Sequence, residues 1–193
     1  MICLHHCGVR FIDEGLQELS VPAIWESQTF LNKLGSEKEN QMWTFADKGN
    51  RACCLVPEIT GIVQEMWRNE WSKNMKGLSL FYIARCYRYD RPQAGRYREF
   101  TQVGVELLGD QANPTRAMAL LEKLVAQYCP SMETKSNVQR GLSYYVANGF
   151  EVEASWLGAQ KQVAGGGSYA EGVGWAIGLD RLDLARQTLP IEK

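Results

Sequence analysis

Between Phe81 and Gly109 the chain reads FYIARCYRYDRPQAGRYREFTQVGVELLG, and this stretch constrains the fold more than any other. Both flanks are rich in β-branched and aromatic residues, and a Pro-Gln-Ala-Gly turn lies between them, so the segment predicts two long antiparallel strands joined by a short loop. Arg85, Arg88, Arg91, Arg96 and Arg98 fall within fourteen residues around that turn. The planar guanidinium donates two parallel hydrogen bonds and stays charged at any working pH, which suits it to phosphate. With Phe100, Gln102 and Glu106 following the loop, the pattern implies a nucleotide held beside a small polar molecule. A merely solvated basic face would leave the aromatic ring and the later carboxylate without a reason.

The rest of the chain supports a mixed architecture. Short strands are expected over Gln17–Ile24, broken by Pro22, then near Met42–Asp47 and Ala52–Leu55. Helices are expected over 1–15, over Gln28–Leu34 with Gly35 as its stop, from Pro57 to about Trp71, and over Asn113–Tyr128. Residues 137–163 read as strands, AGGGSYAEG as a glycine-rich turn, and about Gly174 to Gln187 as a last helix. Strands in consecutive hairpins with helices gathered elsewhere give an α+β domain, an antiparallel sheet flanked by helices. GGGSYAEG is no dinucleotide fingerprint, because the surrounding βαβ pattern is missing. The 193 residues fit one domain.

Charge narrows the function classes. With 21 basic and 22 acidic residues there is no global field to draw the chain to nucleic acid or to a membrane. No apolar run is long enough to span a bilayer and no signal-peptide layout opens the chain, so a cytoplasmic location is expected. The six cysteines form no CxxC pair, and reduced thiols are the economical reading, with Cys53 and Cys54 in a buried strand. CLHHC at residues 3–7 has metal-binding residue types at a spacing that matches no common zinc site, so no resident metal is expected.

Five ordered segments resemble the motifs of histidyl-tRNA synthetase, a class II aminoacyl-tRNA synthetase. SVPAIWESQTFLNKLG is similar to the first class motif, WTFADKGNRACCLVPEIT to the amino acid loop, and CYRYDRPQAGRYREFTQVGVELLG to the second motif. RGLSYY resembles the RGLDYY signature and GWAIGLDRL the third motif. The resemblance implies a class II synthetase-like sheet and an enzyme that activates histidine with ATP, with Mg²⁺ carried on the nucleotide phosphates. It implies Arg88 and Arg140 as catalytic groups at the α-phosphate, and Arg88, Asp90, Arg96, Phe100 and Arg181 as the ATP site. In it, Phe100 and Arg181 sandwich the adenine. It implies Glu58, Thr60 and Gln102 around the ammonium of L-histidine, and Glu106, Tyr144 and Tyr145 around the imidazole.

The chain departs from the family pattern at Val56, Ile59, Thr101, Ser143, Ser168 and Ala170. Only about thirty residues separate Gly109 from Arg140, and the chain stops soon after the third motif. A single catalytic domain over 1–193, with neither insertion domain nor anticodon-binding domain, is therefore expected. Transfer to tRNA or another acceptor and a homodimer built on the first motif are further implications. The alternative is a non-catalytic histidine-binding paralogue resembling the regulatory subunit of ATP phosphoribosyltransferase, whose REFTQ sequence is shared here. A fragment acting as an RNA-binding modulator is a third possibility.

Overall fold

The computed structural model describes residues 10–31, 40–138 and 145–190. Its centre is the hairpin of β5 (Gly77–Tyr87) and β6 (Glu99–Gly109), paired without a bulge from Gly77 opposite Gly109 to Tyr87 opposite Glu99. Around it lie β1 (Gln17–Glu18), β7 (Glu133–Ser136), β8 (Ala147–Glu153), β9 (Gln162–Tyr169) and β10 (Gly172–Gly178). The sheet runs β1-β5-β6-β10-β9-β8-β7, antiparallel throughout except for the parallel β1–β5 edge. A separate three-stranded sheet has the order β2 (Ile24–Glu26), β4 (Ala52–Leu55), β3 (Thr44–Ala46).

Side chains alternate across a strand, so the two long strands send different residues to the two faces. Val103, Val105 and Leu107 of β6 join Val173, Trp175 and Ile177 of β10 in one core, covered by α2 (Pro114–Tyr128) and α3 (Leu179–Gln187). Asn113 caps α2 by accepting from the Arg116 backbone N–H at 3.0 Å, and Pro114 stands in the first turn, where its missing N–H costs nothing. Trp175 is fully buried and donates its indole N–H to the Ala117 carbonyl at 2.8 Å, which locks α2 onto the sheet. Truncating a buried tryptophan to alanine costs about 3–5 kcal/mol.

The opposite face carries Leu78, Leu80, Tyr82, Cys86 and Leu108. There α1 (Thr60–Asn69) buries Ile62, Val63 and Trp67. This helix covers only part of the face, and the uncovered part is the cleft described below.

Several sequence expectations need correction. Gln17–Ile24 is not one strand: β1 joins the large sheet and β2 the small one, with Pro22 between them at the crossing. Pro57 and Glu58 precede the helix, which begins at Thr60, after Ile59. The glycine-rich stretch is not a turn but the end of β9 and the start of β10, with Ala170 and Glu171 at the bend. Gly174–Gly178 is accordingly strand, and the last helix starts at Leu179. Residues 155–160 form a 3₁₀ turn and not strand. Ser27–Thr29 is a single 3₁₀ turn, and the expected helix beyond residue 31 falls largely outside the described residues. Residues 10–13 are helical as expected, whereas 1–9, with CLHHC, lie outside the description.

Candidate functional site

On the open face, β6 contributes Gln102, Gly104 and Glu106, while β10 places Gly178, Ala176 and Gly174 beside them. Gly165 and Gly167 of β9 follow opposite Ala176 and Gly174. Nothing larger than a methyl group stands on this strip between the polar side chains of β6 and Tyr169. The result is a small-residue floor, over which a cleft of about 180 Å³ opens.

One end of the cleft is carboxylic. Glu106 is fully buried, and its two oxygens accept from Thr60 Oγ1 at 2.6 Å and from the Tyr169 phenol at 2.5 Å. Burial pushes its carboxyl up to about 8, against the pull of those two hydrogen bonds and helped by the nearby charge of Glu58. Glu58, also buried, accepts from the Gly61 backbone N–H at 2.8 Å. The Cys86 thiol donates to Gln102 Oε1 at 3.2 Å. Tyr145 lies in the same wall, its ring edge-on to that of Tyr169 at 6.4 Å.

The other end is cationic. Arg88 donates from Nε to the Pro57 carbonyl at 3.0 Å and lies over the Phe100 ring at 5.1 Å. Arg181, at the start of α3, donates to the Gly95 carbonyl at 2.9 Å and to the Gln162 carbonyl at 2.5 Å, tying the hairpin tip to β9. Desolvation, and after it the positive charges of Arg96 and Arg88, lower the pKa of Arg181. Arg88, Arg96 and Arg181 thus crowd like charge into one wall, with Asp90 beside them. Such a wall favours an anion.

The structure therefore brings Glu58, Thr60, Arg88, Asp90, Arg96, Phe100, Gln102, Tyr145 and Arg181 to the cleft, with Glu106 behind Thr60 and Tyr169. Arg140 and Tyr144, as well as Ser143, lie outside the described residues. Of the five hairpin arginines, Arg88 and Arg96 line the cleft and the other three do not. Arg85 pairs with Glu99 on the exposed side of the hairpin, Arg98 stacks over Tyr89 at 4.3 Å, and Arg91 is exposed. Strand alternation and the width of the loop separate them from Arg88 and Arg96. The departures Val56 and Ile59 are fully buried apolar packing beside α1 and do not line the cleft. Sequence reading missed Tyr82 and Tyr169. Tyr82 could have been found from its even spacing with Ala84 and Cys86. Tyr169 was hidden because its segment read as a turn.

The fold is that of a class II aminoacyl-tRNA synthetase core. The structure aligns with a pyrrolysyl-tRNA synthetase, PylSc, of Desulfitobacterium hafniense at a TM-score of 0.74 and 20% identity, covering 95% of this chain and 67% of that one. It aligns with an apo histidyl-tRNA synthetase of S. aureus at 0.70 and 24% identity, covering 98% and 67%. The sequence model described as "Histidyl-tRNA synthetase" matches residues 4–135. A histidine–tRNA ligase of Metallosphaera sedula is 46% identical over 98 residues, 51% of this chain and 23% of that protein. One of Sulfolobus acidocaldarius is 42% identical over 114 residues, 54% of this chain and 27% of that protein. The chain belongs to the histidyl-tRNA synthetase family, and it spans about a quarter of the length of these curated relatives. Among the described residues no helix is long and apolar enough to cross a membrane.

Proposed function

We propose that the cleft activates L-histidine with ATP: a carboxylate oxygen of histidine bonds to the α-phosphorus, the bond to the β-phosphate bridging oxygen breaks, and pyrophosphate leaves. The observation that supports this is the meeting, in one cleft, of three crowded arginines with a buried carboxyl group. A triphosphate relieves the repulsion among Arg88, Arg96 and Arg181, and the charge that develops at the α-phosphate is stabilised by groups already in place. Arg88 serves the α-phosphate and the attacking carboxylate, Arg96 the outer phosphates, and Phe100 and Arg181 the adenine. The small-residue floor lets a flat base and ribose lie close to the sheet. Mg²⁺ would be carried on the nucleotide phosphates, where it would offset their charge, and Asp90 is the carboxylate in the cationic wall. Arg140 would complete the charge around the α-phosphate.

At the other end Glu58, Thr60 and Gln102 hold the ammonium, while Glu106 and Tyr145, with Tyr144, surround the imidazole. Glu106 is suited to a cationic or N–H-bearing ligand because such a ligand stabilises the carboxylate charge that burial disfavours. Transfer of the activated histidine to tRNA or another acceptor, and a homodimer that covers the exposed Ile24 and Phe45 of the small sheet, belong to the same reading. Calorimetric titrations with histidine, with MgATP and with both together test it. The expected result is uptake of both, each tighter in the presence of the other, and Arg88→Ala weakening MgATP. Uptake of histidine with no affinity for MgATP would instead favour a regulatory histidine sensor.

A further inference from the structure

Among the described residues, two buried side-chain polar atoms lack a hydrogen-bond partner, Tyr82 Oη and Gln64 Nε2. Gln64 does not line the cleft, whereas Tyr82 does. Tyr82 is buried at the cleft wall in the unliganded chain, and its place is built into the sheet. Tyr82 on β5 stands opposite Gly104 on β6. A Cβ on Gly104 would meet the Tyr82 Cζ at 2.2 Å and its Oη at 2.3 Å, so the hydroxyl fills the space that the missing side chain leaves. Gln102 and Glu106 flank Gly104 on the same strand face. The hydroxyl is therefore seated between the residue proposed for the ligand's ammonium and the one proposed for its ring.

A buried hydroxyl without a partner is costly, and one at a cleft wall calls for a functional reason. Burial, and after it the charge of Glu106, raise the Tyr82 pKa, so the phenol keeps its proton and needs an acceptor. An ammonium group has only donors and cannot serve. A neutral imidazole offers one N–H and one bare nitrogen, and Glu106 is matched to the N–H. We infer that Tyr82 is a specificity-determining residue that donates its hydroxyl proton to the bare ring nitrogen of the bound amino acid. This rests on the reading of the cleft as an amino acid site.

The test compares the full chain with Tyr82→Phe, using L-histidine, β-(2-thienyl)alanine as a similar ring without a hydrogen-bonding nitrogen, and MgATP. The variant should melt at the same temperature as wild type or higher without ligand, because it sheds an unpaired polar group. It should bind histidine about tenfold more weakly, the usual loss when one such contact is removed. The preference for histidine over thienylalanine should fall by the same factor, with MgATP affinity unchanged. Equal weakening for both amino acids, an unchanged preference, or a lowered melting temperature with weaker MgATP binding would each overturn the assignment. A wild-type chain that takes up no histidine would overturn it together with the amino acid site, whereas wild-type binding with an unchanged Tyr82→Phe preference overturns this inference alone.

Discussion

The carboxylate of Glu106 occupies the space in which a side chain at Gly174 would begin: a Cβ there would lie 1.8 Å from Oε2 and 2.8 Å from the Val105 carbonyl. The two residues are directly opposite in the β6–β10 ladder, so the bare glycine and the buried acid form one device. Gly174→Ala should therefore expel the carboxylate from its hydrogen bonds with Thr60 and Tyr169. A loss of stability of about 1–3 kcal/mol is expected, the range for overpacking, together with loss of histidine binding. Urea unfolding and calorimetry measure the two effects.

Glu106 also sets a pH dependence whose sign follows from its burial. Its carboxyl titrates near 8 in the fold, above the ordinary 4.5, so the folded chain binds a proton that the unfolded chain has released between those values. Stability from this group is fullest below about 4.5, falls as pH rises towards 8, and levels off above it. Glu106→Gln should flatten that slope. At neutral pH, histidine binding should release a proton from the wild type and none from the variant, seen as a buffer-dependent heat of binding.

The three-arginine wall predicts stabilisation by anions. Pyrophosphate should raise the melting temperature of the chain by several degrees, because a ligand held at a hundred times its Kd adds about 2.7 kcal/mol. Arg88→Ala and Arg96→Ala should each remove most of that rise. Arg85→Ala, which breaks only the exposed pair with Glu99, should leave it intact. An exposed pair contributes about 0–1 kcal/mol.

Thiol chemistry offers an independent check on the fold. Burial pushes the thiols of Cys54 and Cys86 up to about 12, which leaves almost no thiolate at neutral pH. Both should resist iodoacetamide in the native chain at pH 7.5 and react once it is unfolded, as read by mass spectrometry of peptides. Rapid native labelling of Cys86 would contradict the packing of β5.

The long hairpin was legible because its flanks are rich in β-branched and aromatic residues around a Pro-Gln-Ala-Gly turn, and those local signals agree with the observed pairing of the two strands. Glu58, Arg88, Gln102 and Arg181, singled out from the family motifs, lie along one cleft. What stayed hidden was set by long-range packing. Gly165–Gly167 has the composition of a turn, yet it is strand, because Phe150 and Trp175 press on Gly166 from the core side. Tyr82 looks like any core aromatic until Gly104 is seen opposite it. The division of the arginines between cleft and surface depends on which strand face each one takes, and charge counting cannot reveal that.

The central claim is best tested by isotope exchange between labelled pyrophosphate and ATP, run with Mg²⁺ and each of the twenty amino acids in turn. The account predicts exchange that requires histidine and is lost in Arg88→Ala. Failure of every amino acid to support exchange, in a chain shown to be folded and to bind MgATP, would contradict it.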